Sequence, residues 1–333
     1  MGVFMKKVSI MYEDFLKEKT KQDIIDYLNF FNIKYRHNGS KDNLERILFN
    51  SLEEIVRYSF NLFQNDELAN IKLVIKNSGY VKIKANYLLQ YFMNNLARFG
   101  LVKIISETEY LMPKEVVRYF KLCLKDKQIL KNVKQNTKEY NLLLGIINTY
   151  GVLTFEKFYT IYSKSFEYKE TELYDKLLIL QKFYLEFNIL NDKNNKYICN
   201  NYFEKLKDVK KYIKKKAEYK EFTQKELVNI YNFKYMCKFK PYKKLLSFVK
   251  KNYYLNEKDI KVFHKYVIIP YLNDIQIGCT GAEENLSINI DKYFEYKNEK
   301  HKGKFMELIK EIINYYPMWK YYGFSQMEVK CEK

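Results

Sequence analysis

The sequence predicts a mainly α fold: a short helical head, tandem winged-helix-like units with small β-hairpins, and a C-terminal helical region. Three observations predict it. Only 10 glycines and 4 prolines interrupt 333 residues, so helix breakers are few. Hydrophobic residues make up 47% of the chain, enough to build packed cores rather than a disordered tract. Two segments repeat one order of elements, helix then hairpin then helix.

The head comes first, over residues 1–50. In "TKQDIIDYLNFFNIKYRHNGSKDNLERIL", Thr20 is placed to cap a helix with Asp23 three residues on, and Ile24, Tyr27, Leu28 and Phe31 recur at helical spacing. That helix should stop near Asn32. An extended connection, "IKYRHNG", comes next, with Gly39 available for a positive φ. Ser40 then caps a second helix with Asp42 in its first turn and Leu44, Ile47 and Leu48 on its inner face.

"GSKDNLERIL" preceded by "IIDYLNFFNIKY" resembles the SAP module and the related N-terminal domain of the termination factor Rho, over about residues 15–50. The resemblance implies that the loop and the start of the second helix lie against nucleic acid. That places Lys34, Tyr35, Arg36, His37, Ser40 and Lys41 at the contact. A helix N-terminus flanked by cations is a phosphate site on physical grounds as well. The plain alternative is a helical hairpin docked on the helices after residue 50.

Residues 51–125 form the first winged-helix-like unit. "NYLLQYFMNNLARFG" reads as an amphipathic helix, "LVKII" as a strand, "SETE" as a turn and "YLM" as the return strand, with a new helix after Pro113. Residues 126–205 repeat it, with a helix ending in "FYLEF", the strand "NIL", the turn "NDKNN" and the return "KYIC". Helices closed by a hairpin outline a winged helix, whose third helix can enter a major groove.

The two third helices differ in chemistry. The first carries Gln90, Asn94, Asn95 and Arg98, side chains suited to base edges and spaced for one face. The second opens on Glu170, Glu172 and Asp175 and should repel phosphate. The first is therefore the candidate reader. Winged helices also serve to dock or dimerise proteins.

The remainder, residues 206–333, is a basic, aromatic-rich helical region. "KLKDVKKYIKKKAEYK" places Lys207, Lys210, Lys211, Lys214 and Lys215 around Leu206, Val209 and Ile213, as a helix with a basic face. "FKYMCKFKPYKKLLSFVKKNYY" alternates Lys238, Lys240, Lys243 and Lys244 with Tyr235, Phe239 and Tyr242, a pattern that suits bases stacking on rings while lysines track phosphates. With 33 Tyr and 24 Phe in the chain, core rings under a solvated lysine face are the alternative. Helix starts come at "TQKEL" and "NEKDI", then a looser loop, "NDIQIGCTGAEENLSIN".

The closing segment "NYYPMWKYYGFSQMEV" holds the only tryptophan, Trp319. It is similar to the closing segment of bacterial proteins that continue into a zinc-binding SEC-C motif, some of which begin with a Rho-N-like module and carry strand ends like "MPKE" at Met112–Glu115. Here no cysteine cluster comes after it, and Gln326 stands where proline is usual. The resemblance implies the helical scaffold without the zinc.

Charge ties these parts together. Fifty-nine Lys and Arg against 40 Asp and Glu give +19, an excess beyond what a Lys-, Asn-, Ile- and Tyr-rich composition explains. An excess of this size favours a polyanionic partner.

Other classes find little support. The three histidines, His37, His264 and His301, have no metal or triad spacing, and no Walker A loop, GxSxG elbow or HExxH helix is present. The five cysteines (Cys123, Cys199, Cys237, Cys279, Cys331) are far apart and read as reduced thiols. The stretch "MGVFMKKVSIMYEDF" lacks an apolar core of signal-peptide length, and no apolar run reaches the roughly 18 residues of a membrane span. The expectation is a non-enzymatic, cytoplasmic nucleic-acid-binding protein, DNA ahead of RNA, without cofactor, metal or membrane partner, acting in transcription or DNA maintenance. Its rival is a helical scaffold whose winged units dock another protein or a second copy.

Overall fold

The structure, a computed structural model, describes residues 9–83, 87–213, 217–232, 234–253, 260, 263–293 and 302–331. The fold is mainly helical with two small three-stranded antiparallel sheets, as the sequence leads one to expect. The chain forms two compact units, Met1–Tyr140 and Asn141–Lys333.

The first unit opens with α1 (Tyr12–Lys17), α2 (Lys21–Phe30), α3 (Lys41–Asn50) and α4 (Leu52–Ser59). Thr20 and Asp23 cap α2 reciprocally, each side chain accepting the other's backbone N–H at 3.1 and 2.8 Å. The Thr20 hydroxyl and amide hold the Asp23 carboxyl below its usual range. The chain leaves α2 through Asn32 at φ 54°, and Gly39 is not in the positive-φ region, contrary to expectation. Gly39 instead serves a close approach, since a Cβ there would stand 3.1 Å from the Arg36 oxygen.

Aromatic packing fastens this head to the rest of the unit. Phe30 stacks on Phe99 with ring centroids 3.7 Å apart, and Phe31 meets Tyr58 edge to face at 6.0 Å. The buried Glu115 carboxylate accepts the Tyr12 N–H at 2.8 Å, which satisfies one of the orphan donors that open α1.

After α5 (Asn65–Lys76) come β1 (Tyr80–Lys82), α6 (Tyr87–Arg98), β2 (Lys103–Ser106), β3 (Glu109–Leu111), α7 (Lys114–Cys123) and α8 (Lys127–Tyr150). The hairpin β2–β3 lies where the sequence places it. It gains an unexpected third strand, giving the order β1-β3-β2, with Tyr80 opposite Leu111 and Lys82 opposite Glu109. Phe60, Phe63, Phe92 and Phe120 form the aromatic centre of the core, with centroids 5.2 to 6.0 Å apart.

In the second unit the end of α8 leads into β4 (Val152–Thr154), α9 (Phe155–Tyr162), α10 (Glu170–Tyr184), β5 (Phe187–Asn191) and β6 (Lys196–Asn200), with sheet order β4-β6-β5. Again the third strand, β4, goes beyond the expected hairpin. Its register runs Val152 to Cys199 and Thr154 to Tyr197.

The unit continues with α11 (Leu206–Tyr212), α12 (Gln224–Tyr231), α13 (Lys240–Asn252), α14 (Ile269–Ile277), α15 (Ala282–Tyr293), α16 (Lys302–Ile313) and α17 (Gln326–Cys331). The segment "NDIQIGCTGAEENLSIN" is mostly helix, not a loop. Asn273, Asp274 and Gln276 are buried in α14, where Asp274 accepts from Asn285 at 2.9 Å and Gln276 accepts the Trp319 N–H at 2.6 Å. The expected helix start at "NEKDI" and His301 lie outside the described residues, apart from Ile260.

Trp319 closes this core, fully buried. Its ring lies over Gly151, which holds φ +71°, and a Cβ there would be 2.4 Å from the indole. Phe203 packs beside it at 5.4 Å.

Candidate nucleic-acid interface

The head loop presents its cations unevenly. Lys34, Arg36 and His37 are exposed, and Tyr35 is held between them, donating to Asn29 Oδ1 at 3.0 Å and meeting the His37 ring edge to face at 5.1 Å. The other two residues have internal tasks. Ser40 Oγ accepts the Asn43 N–H at 3.3 Å, and Lys41 Nζ donates to the Lys17 carbonyl at 2.9 Å while lying 3.3 Å from Glu45. Asp42, exposed in the first turn of α3, stabilises that helix end but opposes a phosphate there.

The amides on α6 do not form a free reading face. Gln90 Nε2 donates to the Glu107 carbonyl at 2.9 Å, and Asn94 Oδ1 accepts from the Tyr110 hydroxyl at 2.9 Å. Both hold the β2–β3 hairpin onto the helix. Asn95 is 3% exposed and accepts from Arg98, which lies over Phe99, so Asn95 reaches no base edge. Of this row Asn95 alone is withdrawn from base edges by burial; Asn94 and Arg98 are exposed and Gln90 is half-buried, and each also makes a hydrogen bond inside the unit.

The basic helix expected over 205–220 is shorter than its pattern. α11 ends at Tyr212, and Ile213 is extended at φ −102° and ψ 120°, its side chain packed against the buried cluster that includes Val152, Phe203 and Trp319. Lys210 pairs with Asp192 at 3.1 Å and Lys211 with Asp208 at 2.9 Å, while Lys207 is exposed along the same turn. Asp192 also accepts the N–H groups of Asn194 and Asn195, and these with Lys210 hold its carboxyl far below its usual range. Lys214 and Lys215 lie outside the described residues.

The cluster at the start of α13 is the one the structure brings together. Lys240, Lys243 and Lys244 occupy its first turns, exposed and without an ion pair among the described residues. Lys238, one residue before the cap, lies 3.6 Å above the Tyr235 ring, and Lys234 extends the cluster backwards. Lys234 is a member that sequence reasoning missed, although its spacing in "FKYMCKFK" could have found it. The rings between these lysines are core: Tyr235 is 7% exposed, Tyr242 is fully buried, and half-buried Phe239 packs on Tyr315 at 5.1 Å. They offer bases no stacking platform, which corrects the single-strand reading of this stretch.

Electrostatics at this cluster are unusual for a helix start. No acidic residue occupies the first turn of α13, so three ammonium groups sit against the positive end of the helix dipole. Beneath them the Tyr242 hydroxyl is hydrogen-bonded to His264 Nε2, and burial lowers His264 to about 4, which keeps the imidazole neutral.

Among the described residues, no group of three His, Cys, Asp or Glu side chains is arranged to hold a metal ion. No helix among them is long and apolar enough to cross a membrane. No protein-family model, curated protein or solved structure matches the chain.

Proposed function

We propose that this chain is a non-enzymatic nucleic-acid-binding protein that grips the phosphate backbone, DNA ahead of RNA, and acts in the cytoplasm in transcription or DNA maintenance. The observation that carries the reading is the lysine cluster of Lys238, Lys240, Lys243 and Lys244 at the start of α13. A helix that opens on three lysines is less stable by about 0.3–1 kcal/mol per charge than one that opens on acids. A polyanion laid across it relieves that repulsion and releases counterions.

Two further observations shape the reading. The amides of α6 are engaged internally and α10 opens on Glu170 and Glu172, so contact is with backbone rather than base edges. The rings near the lysines are buried, which favours a duplex over a single strand. On this reading the order α8–β4–α9–α10–β5–β6, with β6 central in its sheet, serves as a winged-helix-like scaffold. In the SAP-like head, exposed Lys34 and Arg36 add a second contact.

One observation favours the rival reading, docking of a protein. On the edge strand β2, Ile104 and Ile105 are 52% and 44% exposed.

Fluorescence anisotropy with labelled duplex DNA, single-stranded DNA and RNA, from about 50 to 200 mM salt, tests the proposal. The expected result is duplex binding that weakens steeply with salt. Absence of binding at the lowest salt, together with a stable oligomer in light scattering, gives the rival reading its place.

A further inference from the structure

A second basic surface, which none of the sequence motifs marks, runs along α8. Lys127, Lys131, Lys134 and Lys138 succeed one another at steps of four, three and four residues. At about 100° per residue they fall within an arc of about 60°. All four are exposed, and none of their side chains has an ion pair or hydrogen bond among the described residues.

The rotation of α8 is fixed by what lies opposite. Ile129, Val133 and Tyr140 are buried. Asn136 Nδ2 donates to the carbonyls of Phe60, Asn61 and Phe63 at 3.1, 2.9 and 3.2 Å, and Thr137 Oγ1 accepts the Asn65 N–H at 2.9 Å. The lysine row therefore points away from the core by construction.

No acid lies between Lys127 and Lys138 to offset the row. The flanking acids have other partners. Asp126 caps α8 through the N–H groups of Gln128 and Ile129 and pairs with Arg57 at 3.3 Å, while Glu139 is buried beside Gln135. From Lys114 to Lys138 the chain carries eight basic side chains against two acids, Glu115 and Asp126, both bonded internally. Like charges at i,i+3 and i,i+4 oppose a helix, and among the described residues no acid relieves them.

From these observations we infer that the α8 row is a second, separate contact with a phosphodiester backbone, an inference that rests on the nucleic-acid reading above. The row is straight and about 16 Å long at 1.5 Å per residue. It faces about five phosphates of one duplex strand at 3.4 Å rise each. A rigid row of cations matches a stiff duplex better than a flexible single strand.

The test is the salt dependence of duplex binding by the full chain. Replacing Lys127, Lys131, Lys134 and Lys138 together with Gln keeps helix propensity and removes four cations. The slope of log affinity against log salt should become shallower by about 3 to 4, near 0.9 for each lysine that faces a phosphate. The matching Lys→Arg variant should keep the wild-type slope.

A charge-matched control, Lys72, Lys76, Lys164 and Lys330 to Gln, removes as many exposed lysines elsewhere and should leave the slope close to wild type. A slope unchanged in the α8 variant, or equally reduced in the control, overturns the inference and leaves the nucleic-acid reading standing. No duplex binding by the wild type overturns both. If phosphatidylserine vesicles, and not the duplex, lose binding in the α8 variant, the row serves a membrane surface and the inference fails. Should the quadruple variant fold poorly by circular dichroism, single Lys131→Gln and Lys134→Gln variants, each lowering the slope by about 0.9, carry the same test.

Discussion

The indole N–H of Trp319 donates to the backbone oxygen of Asn148 at 3.0 Å, joining residues 171 positions apart inside one buried core. The same tryptophan's backbone N–H reaches Gln276 Oε1, and its ring rests on Gly151. Three distant stretches of the second unit, the end of α8, the end of α14 and the closing segment, therefore meet on one side chain.

Trp319→Ala should lower stability by about 3–5 kcal/mol, from the lost area, the cavity and the orphaned Asn148 carbonyl. Urea unfolding followed by circular dichroism reads this as a drop in midpoint at constant slope. A change below about 1 kcal/mol would show that the closing segment does not hold the core together.

Stability should depend on pH through His264. Its folded pKa is lowered to about 4 from 6.5, so below pH 6.5 the unfolded chain takes up a proton that the folded chain refuses. Its contribution is present in full above pH 6.5 and is lost as pH falls from 6.5 to 4. Between pH 7 and 5 the wild type should lose about 2 kcal/mol more than His264→Gln, measured by urea unfolding at each pH.

Gln90→Ala and Asn94→Ala should change stability and not recognition. Each removes one hydrogen bond between α6 and the β2–β3 hairpin, costing about 1 kcal/mol. Binding to duplexes of different sequence should stay within about twofold of wild type for both, as expected where backbone contacts carry affinity. A variant that discriminates less among sequences would restore α6 as a reading helix.

The hairpins were legible because polar turns, "SETE" and "NDKNN", separate apolar runs that cannot continue one helix. Their third strands were not. Tyr80–Lys82 and Val152–Thr154 are three residues each, too short for a period-two pattern, and exist because β3 and β6 have a free edge to pair. "NDIQI" has the polar letters of a loop, while burial with partners decides the matter in favour of helix. Residue type alone makes the α6 amides look like base readers, because it does not reveal a neighbouring carbonyl or hydroxyl that already uses them. The lysine row on α8 is legible in "KQILKNVKQNTK", but its helical spacing stands out less than the denser lysine runs nearer the C-terminus.

Replacing Lys238, Lys240, Lys243 and Lys244 together with Gln tests whether the start of α13 grips the phosphate backbone. Duplex affinity should be at least about tenfold weaker at moderate salt, with a slope shallower by about 3 to 4. The unfolding midpoint should hold or rise, because like charges leave the helix N-terminus. Wild-type affinity and slope in a folded variant would contradict that grip, and would mark those lysines as a solvated face and nothing more.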